Sequence, residues 1–120
     1  MISAMNSDKR IVIRSYQTQY KNPLTLVAGD IVKLGKEESK DEWKGWIWAE
    51  TSDNSGWIPL QIIKPSGNDT ATITESYTAK ELDVTEGIVV SVIKELNGWL
   101  WLRNDAGDEG WIPKEYTAAV

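Results

Sequence analysis

The sequence predicts an all-β protein built from two small five-stranded β-barrels in tandem. Three observations carry this prediction: the 120-residue chain repeats itself, its apolar runs are short and rich in β-branched residues, and no segment has the length and period of a helix. Several short strands at close spacing, separated by turn residues, are typical of small barrels. Each barrel would have about 50–60 residues, near the lower limit for independent folding.

An internal repeat divides the chain into two copies. Four short blocks recur in the same order, which chance would rarely produce. The paired blocks are Val12–Tyr16 with Ile73–Tyr77, Leu24–Leu26 with Leu82–Val84, Gly45–Trp48 with Gly98–Trp101, and Gly56–Pro59 with Gly110–Pro113. The repeat predicts a first barrel over residues 8–64, a turn-rich linker over 65–69 and a second barrel over 70–120.

Apolar residues at corresponding positions of the two copies are expected to form two cores, because side chains alternate between the faces of a strand. The expected core of the first barrel consists of Val12, Leu24, Leu26, Val32, Leu34, Ala49 and Ile58. The expected core of the second barrel consists of Ile73, Leu82, Val84, Val90, Val92, Leu102 and Ile112.

The composition excludes several kinds of chemistry. The chain has no Cys and no His, which removes thiol nucleophiles, disulfides, imidazole acid–base catalysis and zinc sites made from these residues. The charged run Lys36–Glu42 lacks the spacing of a calcium loop and is expected to be a solvated loop. We therefore expect no enzyme, no metal and no cofactor.

The charge of the chain bears on its partners. The net charge is −5, with +1 over residues 1–65 and −6 over residues 66–120. An acidic surface repels the phosphates of nucleic acids and favours cationic ligands. No apolar run has the length of a secretory signal or a membrane span, so we expect a cytoplasmic protein with no membrane partner.

The repeated blocks resemble the Src-homology-3 (SH3) family over nearly the whole chain, in both copies. Leu24–Leu26, Trp46–Ala49 and Gly56–Pro59 follow the order and spacing of the family's motifs, and so do their counterparts in the second copy. The chain is identified as a tandem SH3 protein of the bacterial or variant type. The resemblance implies SH3-like barrels that bind Pro-rich peptides in an aromatic groove, with an acidic loop residue pairing with a basic residue of the peptide.

The resemblance assigns groove positions to both copies. In the second barrel these are Tyr77, Trp99, Pro113 and Tyr116, with Glu81 as the acidic loop residue. In the first barrel they are Tyr16, Trp46 and Pro59.

Both copies depart from the family pattern. Arg14 and Glu75 stand where the family has its first groove Tyr, and Ile62 stands where it has its last. The corresponding loop of the first copy, residues 17–23, contains no acid. The second barrel is therefore the better candidate for a basic ligand.

Four further Trp residues form a feature of this sequence rather than of the family. Strand alternation places Trp48 and Trp57 beside Trp46 on the outer face of the first barrel, and Trp101 and Trp111 beside Trp99 on that of the second, three Trp residues on each face. Exposed apolar patches usually mark interfaces. We expect these residues either to pack between barrels or to extend a ligand platform.

Three function hypotheses follow. The first is a non-catalytic adaptor that binds a protein or a peptide, either basic and Pro-rich or simply extended. The second is a structural or assembly module whose Trp faces mediate packing between barrels or in a homodimer. A third, cell-wall binding, would require an export signal.

Overall fold

The computed structural model describes residues 8–120, which are mostly β-strand. The strands are β1 (Lys9–Val12), β2 (Thr25–Leu26), β3 (Ile31–Glu37), β4 (Trp46–Glu50), β5 (Ser55–Pro59), β6 (Ile63–Pro65), β7 (Thr70–Ile73), β8 (Tyr77–Thr78), β9 (Val89–Leu96), β10 (Trp99–Arg103), β11 (Glu109–Pro113) and β12 (Thr117–Ala119). Short 3-10 turns occur at Asp41–Trp43, Leu60–Ile62 and Lys114–Tyr116. Within residues 8–120, no helix has the length and hydrophobicity that crossing a membrane requires.

The chain folds as two compact units whose boundaries do not follow the sequence repeat. Unit 1 contains residues 8–21 and 81–120 of the described chain, and unit 2 contains residues 22–80. Unit 2 is therefore continuous in sequence, whereas unit 1 is assembled from two separate segments.

Unit 1 contains a five-stranded antiparallel sheet in the order β11-β10-β9-β1-β12. The first strand, β1, lies between β9 and β12, so that Arg10 is opposite Val90 on one side and Ala119 on the other. Alternate side chains point inward, as expected for strands with one buried face. The core of unit 1 consists of Val12, Leu82, Val84, Val90, Leu100, Leu102 and Ile112.

Unit 2 contains a sheet of the same design in the order β5-β4-β3-β7-β6. Strand β7 lies between β3 and β6, so that Ala71 is opposite Val32 on one side and Pro65 on the other. The short strands β2 and β8 pair separately. The core of unit 2 consists of Leu24, Leu26, Val32, Ile47, Ala49, Ile58, Ile62, Ala71 and Ile73.

The structure corrects the domain boundaries that the repeat predicted. Residues 65–69 are not a linker between domains, since they join β6 to β7 inside unit 2, where Ile63 lies opposite Ile73. The first strand of each copy therefore pairs with strands of the other copy: β1 belongs to the sheet of unit 1, and β7 belongs to the sheet of unit 2. The repeat could not reveal this exchange, because Val12 and Ile73 present similar β-branched side chains and fit either core.

The expected core residues are buried, but two of them have exchanged places. Val12 belongs to the core of unit 1 and Ile73 to the core of unit 2, the reverse of the prediction. Leu34 and Val92 are only partly buried against these cores.

The connections after β3 and β9 differ between the units. Asn97 and Gly98 form a two-residue connection with φ values of 50° and 86°, the left-handed conformation that such tight hairpins require. The corresponding connection of unit 2 is longer and contains the turn Asp41–Trp43. The charged run Lys36–Glu42 is thus only partly a loop, because its first two residues belong to β3.

Candidate functional site

An aromatic cluster in unit 1 contains residues from both copies of the repeat. The ring centroid of Tyr16 lies 6.2 Å from that of Trp99 and 5.5 Å from that of Tyr116, both in edge-to-face arrangements. Such pairs stabilise one another beyond the area they bury. All three residues are half-buried, so part of each ring faces solvent.

Backbone contacts hold each member of this cluster in place. Tyr16 exchanges two main-chain hydrogen bonds with Val84, of 3.0 and 2.9 Å. Trp99 opens β10 and lies directly opposite Pro113 of β11. Tyr116 closes the 3-10 turn that follows Pro113. The cluster is therefore built on an isolated β-bridge at Tyr16, the first residue of β10 and the 3-10 turn that ends at Tyr116.

A buried carboxyl oxygen lies beside the aromatic cluster. Glu81 Oε1 is buried and has no hydrogen-bond partner within the described chain. Burial raises the pKa of Glu81, and hydrogen bonding from Tyr16 and Thr18 opposes that rise. The pKa of the Tyr16 hydroxyl is also raised, first by its own burial and then by Glu81. An acid beside exposed aromatic rings is suited to receive a cation.

Arg14 adds a positive charge beside Tyr116. Its guanidinium carbon lies 4.5 Å from the centroid of the Tyr116 ring, within cation–π range. The sequence showed that Arg14 replaces a family Tyr, but its contact with Tyr116 depends on the exchange of β1. No signal in the sequence indicated that contact.

Unit 2 has a smaller counterpart of this cluster. The centroids of Trp46 and Tyr77 are 6.4 Å apart, and Trp46 lies opposite Pro59. The Tyr77 hydroxyl donates a 3.0 Å hydrogen bond to the carbonyl of Trp57. Ile62 occupies the position that Tyr116 has in unit 1, and it is buried in the core.

The predicted groove residues are therefore grouped differently in the structure. Tyr77 does not join Trp99, Pro113 and Tyr116, because Tyr16 occupies that place. Tyr77 instead joins Trp46 and Pro59. The two Tyr residues follow their strands, and those strands are exchanged. Glu81 stays with Trp99 and Tyr116, since all three belong to unit 1.

The remaining Trp residues form one cross-strand pair in each unit. Trp48 lies opposite Trp57, and Trp101 lies opposite Trp111, with 5.3 Å between ring centroids in both pairs. Each pair therefore shares a sheet face, as strand alternation predicted.

The exposure of the Trp residues differs from the expectation of open outer faces. Trp46 and Trp111 are only 5% and 3% exposed, whereas Trp48, Trp57, Trp99 and Trp101 are half-buried. The Trp101 indole N–H donates a 2.7 Å hydrogen bond to Glu109. The available apolar surface on each unit is thus smaller than three fully exposed indoles would provide.

Comparisons with known proteins identify an SH3 domain in one part of the chain. Residues 9–66 match the variant SH3 domain family. The matched stretch is the first copy of the repeat, so it includes β1 from unit 1 and most of unit 2. An all-β, SH3-like fold follows from the match together with the strand content. SH3 domains are generally non-catalytic binding modules.

The chain is also similar to parts of larger curated proteins. SH3 and PX domain-containing protein 2B of Homo sapiens is 30% identical over 132 aligned positions, which cover 96% of this chain and 14% of the relative. Intersectin-1 of Mus musculus is 24% identical over 128 positions, which cover 88% of this chain and 8% of the relative. The chain thus spans about a seventh or less of the length of these relatives. The similarities fit a protein-binding module.

Residues 8–120 contain no group of three or more His, Cys, Asp or Glu side chains placed to hold a metal ion.

Proposed function

We propose that the chain is a non-catalytic peptide-binding module made of two SH3-like barrels, and that unit 1 provides its main binding groove. The groove residues are Tyr16, Trp99, Pro113 and Tyr116, with Glu81 as the acidic member. The single observation that carries the proposal is the buried, partnerless carboxyl oxygen of Glu81 beside half-exposed aromatic rings. The ligand is an extended or Pro-rich peptide that carries Lys or Arg.

The aromatic part of the groove suits an extended peptide. A polyproline II segment is already extended and has no internal hydrogen bonds, so it loses little conformational entropy on binding. The edge-to-face arrangement of Tyr16 against Trp99 and Tyr116 leaves the rings at steep angles, 85° and 78°, which creates slots rather than a flat surface. Ridges of the peptide would fill these slots.

The acidic part of the groove gives the ligand its charge preference. A Lys or Arg side chain of the peptide would pair with the negative charge of the Glu81 carboxyl. Charge-assisted hydrogen bonds of this kind are stronger than neutral ones. Asp83, exposed on the same segment, adds negative charge nearby. Unit 2 has Pro23 before Leu24, where unit 1 has Glu81 before Leu82, so its groove lacks this preference.

Titration with two matched peptides tests the proposal. One peptide has a Pro-rich core with a flanking Arg, and the other has Gln in place of that Arg. We expect the Arg peptide to shift the indole NMR signal of Trp99. It should bind at least about tenfold more tightly than the Gln peptide, because the Gln peptide cannot form a charged hydrogen bond with Glu81. Trp99→Ala should abolish binding, whereas Trp46→Ala, the matching change in unit 2, should retain it. Equal affinities for the two peptides would contradict the proposal.

The Trp pairs support a second candidate, an assembly module. Trp48 and Trp101 remain half-buried after their cross-strand contacts, so each unit retains apolar surface beside its groove. A homodimer in light scattering that dissociates in Trp48→Ala or Trp101→Ala, together with no response to either peptide, would favour this candidate.

A further inference from the structure

The first segment of the chain (residues 8–21) and the corresponding segment of unit 2 (residues 70–80) dock with matching main-chain hydrogen bonds. Val12 N–H donates to the Ile88 carbonyl, and Ile73 N–H donates to the Asp30 carbonyl, at 2.8 Å in both cases. The next pair of bonds, Ile13 to Tyr116 and Thr74 to Ile62, is also 2.8 Å in both units. Backbone geometry therefore does not determine which segment joins which sheet.

Side chains distinguish the two segments where the backbone does not. In unit 1, Arg10 Nε donates a 2.6 Å hydrogen bond to Thr117 Oγ1, and Arg10 Nη2 donates a 3.2 Å bond to the Thr117 carbonyl. Four residues later, Arg14 lies over the ring of Tyr116. The surface of β12 and the preceding turn thus recognises two Arg side chains of the first segment.

The equivalent surface of unit 2 offers Arg no such contacts. Ile63 stands where unit 1 has Thr117, and Ile62 stands where it has Tyr116. The position equivalent to Arg10 is Ala71, which is 0% exposed. An Arg placed there would lose its hydroxyl acceptor and bury its charge against aliphatic side chains, which is costly.

We propose that Arg10 and Arg14 direct the first segment to unit 1, so that the Thr117–Tyr116 surface is a recognition site for a basic β-strand with Arg four residues apart. The exchange of strands is then encoded by these contacts rather than by the repeat. The exchange also gives the surface beside the groove a positive charge, that of Arg14. In the unexchanged arrangement, the negatively charged Glu75 would lie at that position.

Cysteine pairs can report the arrangement, because the chain contains no Cys of its own. Ile11 lies opposite Val89 in the structure, and the equivalent neighbour in an unexchanged chain would be Ile31. The full chain is refolded under reducing conditions and then oxidised in two forms, Ile11→Cys with Val89→Cys and Ile11→Cys with Ile31→Cys. We expect the first form to crosslink and the second to remain reduced. A dominant crosslink in the second form would overturn the proposal.

Removing the Arg side chains should change this outcome. In the background of Arg10→Ala with Arg14→Ala, we expect the ratio of the 11–89 crosslink to the 11–31 crosslink to fall by about tenfold, as loss of charged hydrogen bonds predicts. Lys9→Ala is the matched control, because Lys9 is an exposed basic residue of the same strand whose ammonium group donates a hydrogen bond to the Ser91 hydroxyl. An equal ratio in the double variant and the control would overturn the proposal.

Thr117→Val keeps the test valid if the double Arg variant does not fold. It removes the hydroxyl that accepts from Arg10 while preserving the shape of a side chain that is 5% exposed. We expect the crosslink ratio to fall in the same direction, with far-UV circular dichroism showing that the sheets are retained. An unchanged ratio in this folded variant would also contradict the role of Arg10.

Discussion

At the scale of single residues, the most informative group is the Glu81 carboxyl. Its position was predictable, because an acid directly before the Leu82–Val84 block is where the family resemblance places one. Its environment was not predictable, since Tyr16 and Thr18, which hydrogen-bond the carboxyl, come from the other copy of the repeat. A single carboxyl thus links the exchange of segments to the chemistry of the groove.

The raised pKa of Glu81 predicts a specific pH dependence of stability. Between the ordinary pKa of a Glu and the raised value, the folded chain keeps a proton that the unfolded chain has released, so the free energy of unfolding falls as pH rises through that range. Glu81→Gln should remove this fall and make the chain more stable than the parent at pH 7. Urea unfolding between pH 4 and pH 8 measures it. Glu86→Gln, an exposed Glu of the same segment, should leave the dependence unchanged.

At the scale of elements, β11 approaches the segment that carries Glu81 unusually closely. A Cβ atom added at Gly110 would lie 2.7 Å from both the carbonyl carbon of Glu81 and the backbone nitrogen of Leu82. Leu82 N–H also donates a 3.1 Å hydrogen bond to the Trp111 carbonyl. Two backbones meet here without room for a side chain, which explains the Gly in this strand.

Gly110→Ala should therefore destabilise unit 1. Because backbone rather than a flexible side chain must move, we expect a loss of about 2–3 kcal/mol in the free energy of unfolding. The matched change in unit 2, Gly56→Ala, brings the Cβ to 3.2 Å from the Leu24 Cβ and should cost less. Denaturant titration of both variants checks the difference. Equal losses would show that the close approach at Gly110 has no special role.

The elements were largely predictable, and their partners were not. The Trp-bearing strands, the hairpins after Thr51 and Asn104, and the stops at Pro59 and Pro113 follow from local patterns that act within one copy. The pairing of β1 and β7 depends on contacts far apart in sequence. Val12 and Ile73 are nearly interchangeable in a core, so the pattern of apolar residues could not assign them.

At the scale of the whole molecule, the structure replaces two consecutive domains with one continuous unit and one discontinuous unit. Sequence copies and structural units differ because each copy contributes its first strand to the other. The family match over residues 9–66 follows the copies, since sequence comparison detects motif order and not strand pairing. Domain boundaries read from a repeat are reliable only when each copy forms its own sheet.

The division into units predicts which fragments fold. Residues 22–80 contain every strand of the unit 2 sheet, so this fragment should unfold cooperatively in urea. Residues 81–120 lack β1, which separates β9 from β12, and should show no cooperative transition alone. Adding a peptide of residues 8–21 should restore the transition. Circular dichroism during denaturant titration measures all three samples, and a cooperative 81–120 fragment would contradict the assignment.

The discontinuity of unit 1 has a consequence for biosynthesis. On the ribosome, β1 emerges long before its two neighbouring strands have been translated. Those strands, β9 and β12, begin only at Val89 and Thr117. During that interval the nascent chain already exposes Ile31–Glu37 and Ile63–Pro65, which can hold the strand by the same backbone bonds. Any such early pairing would have to be released before β1 joins β9 and β12, and slow growth of the chain would favour the premature state over the mature one.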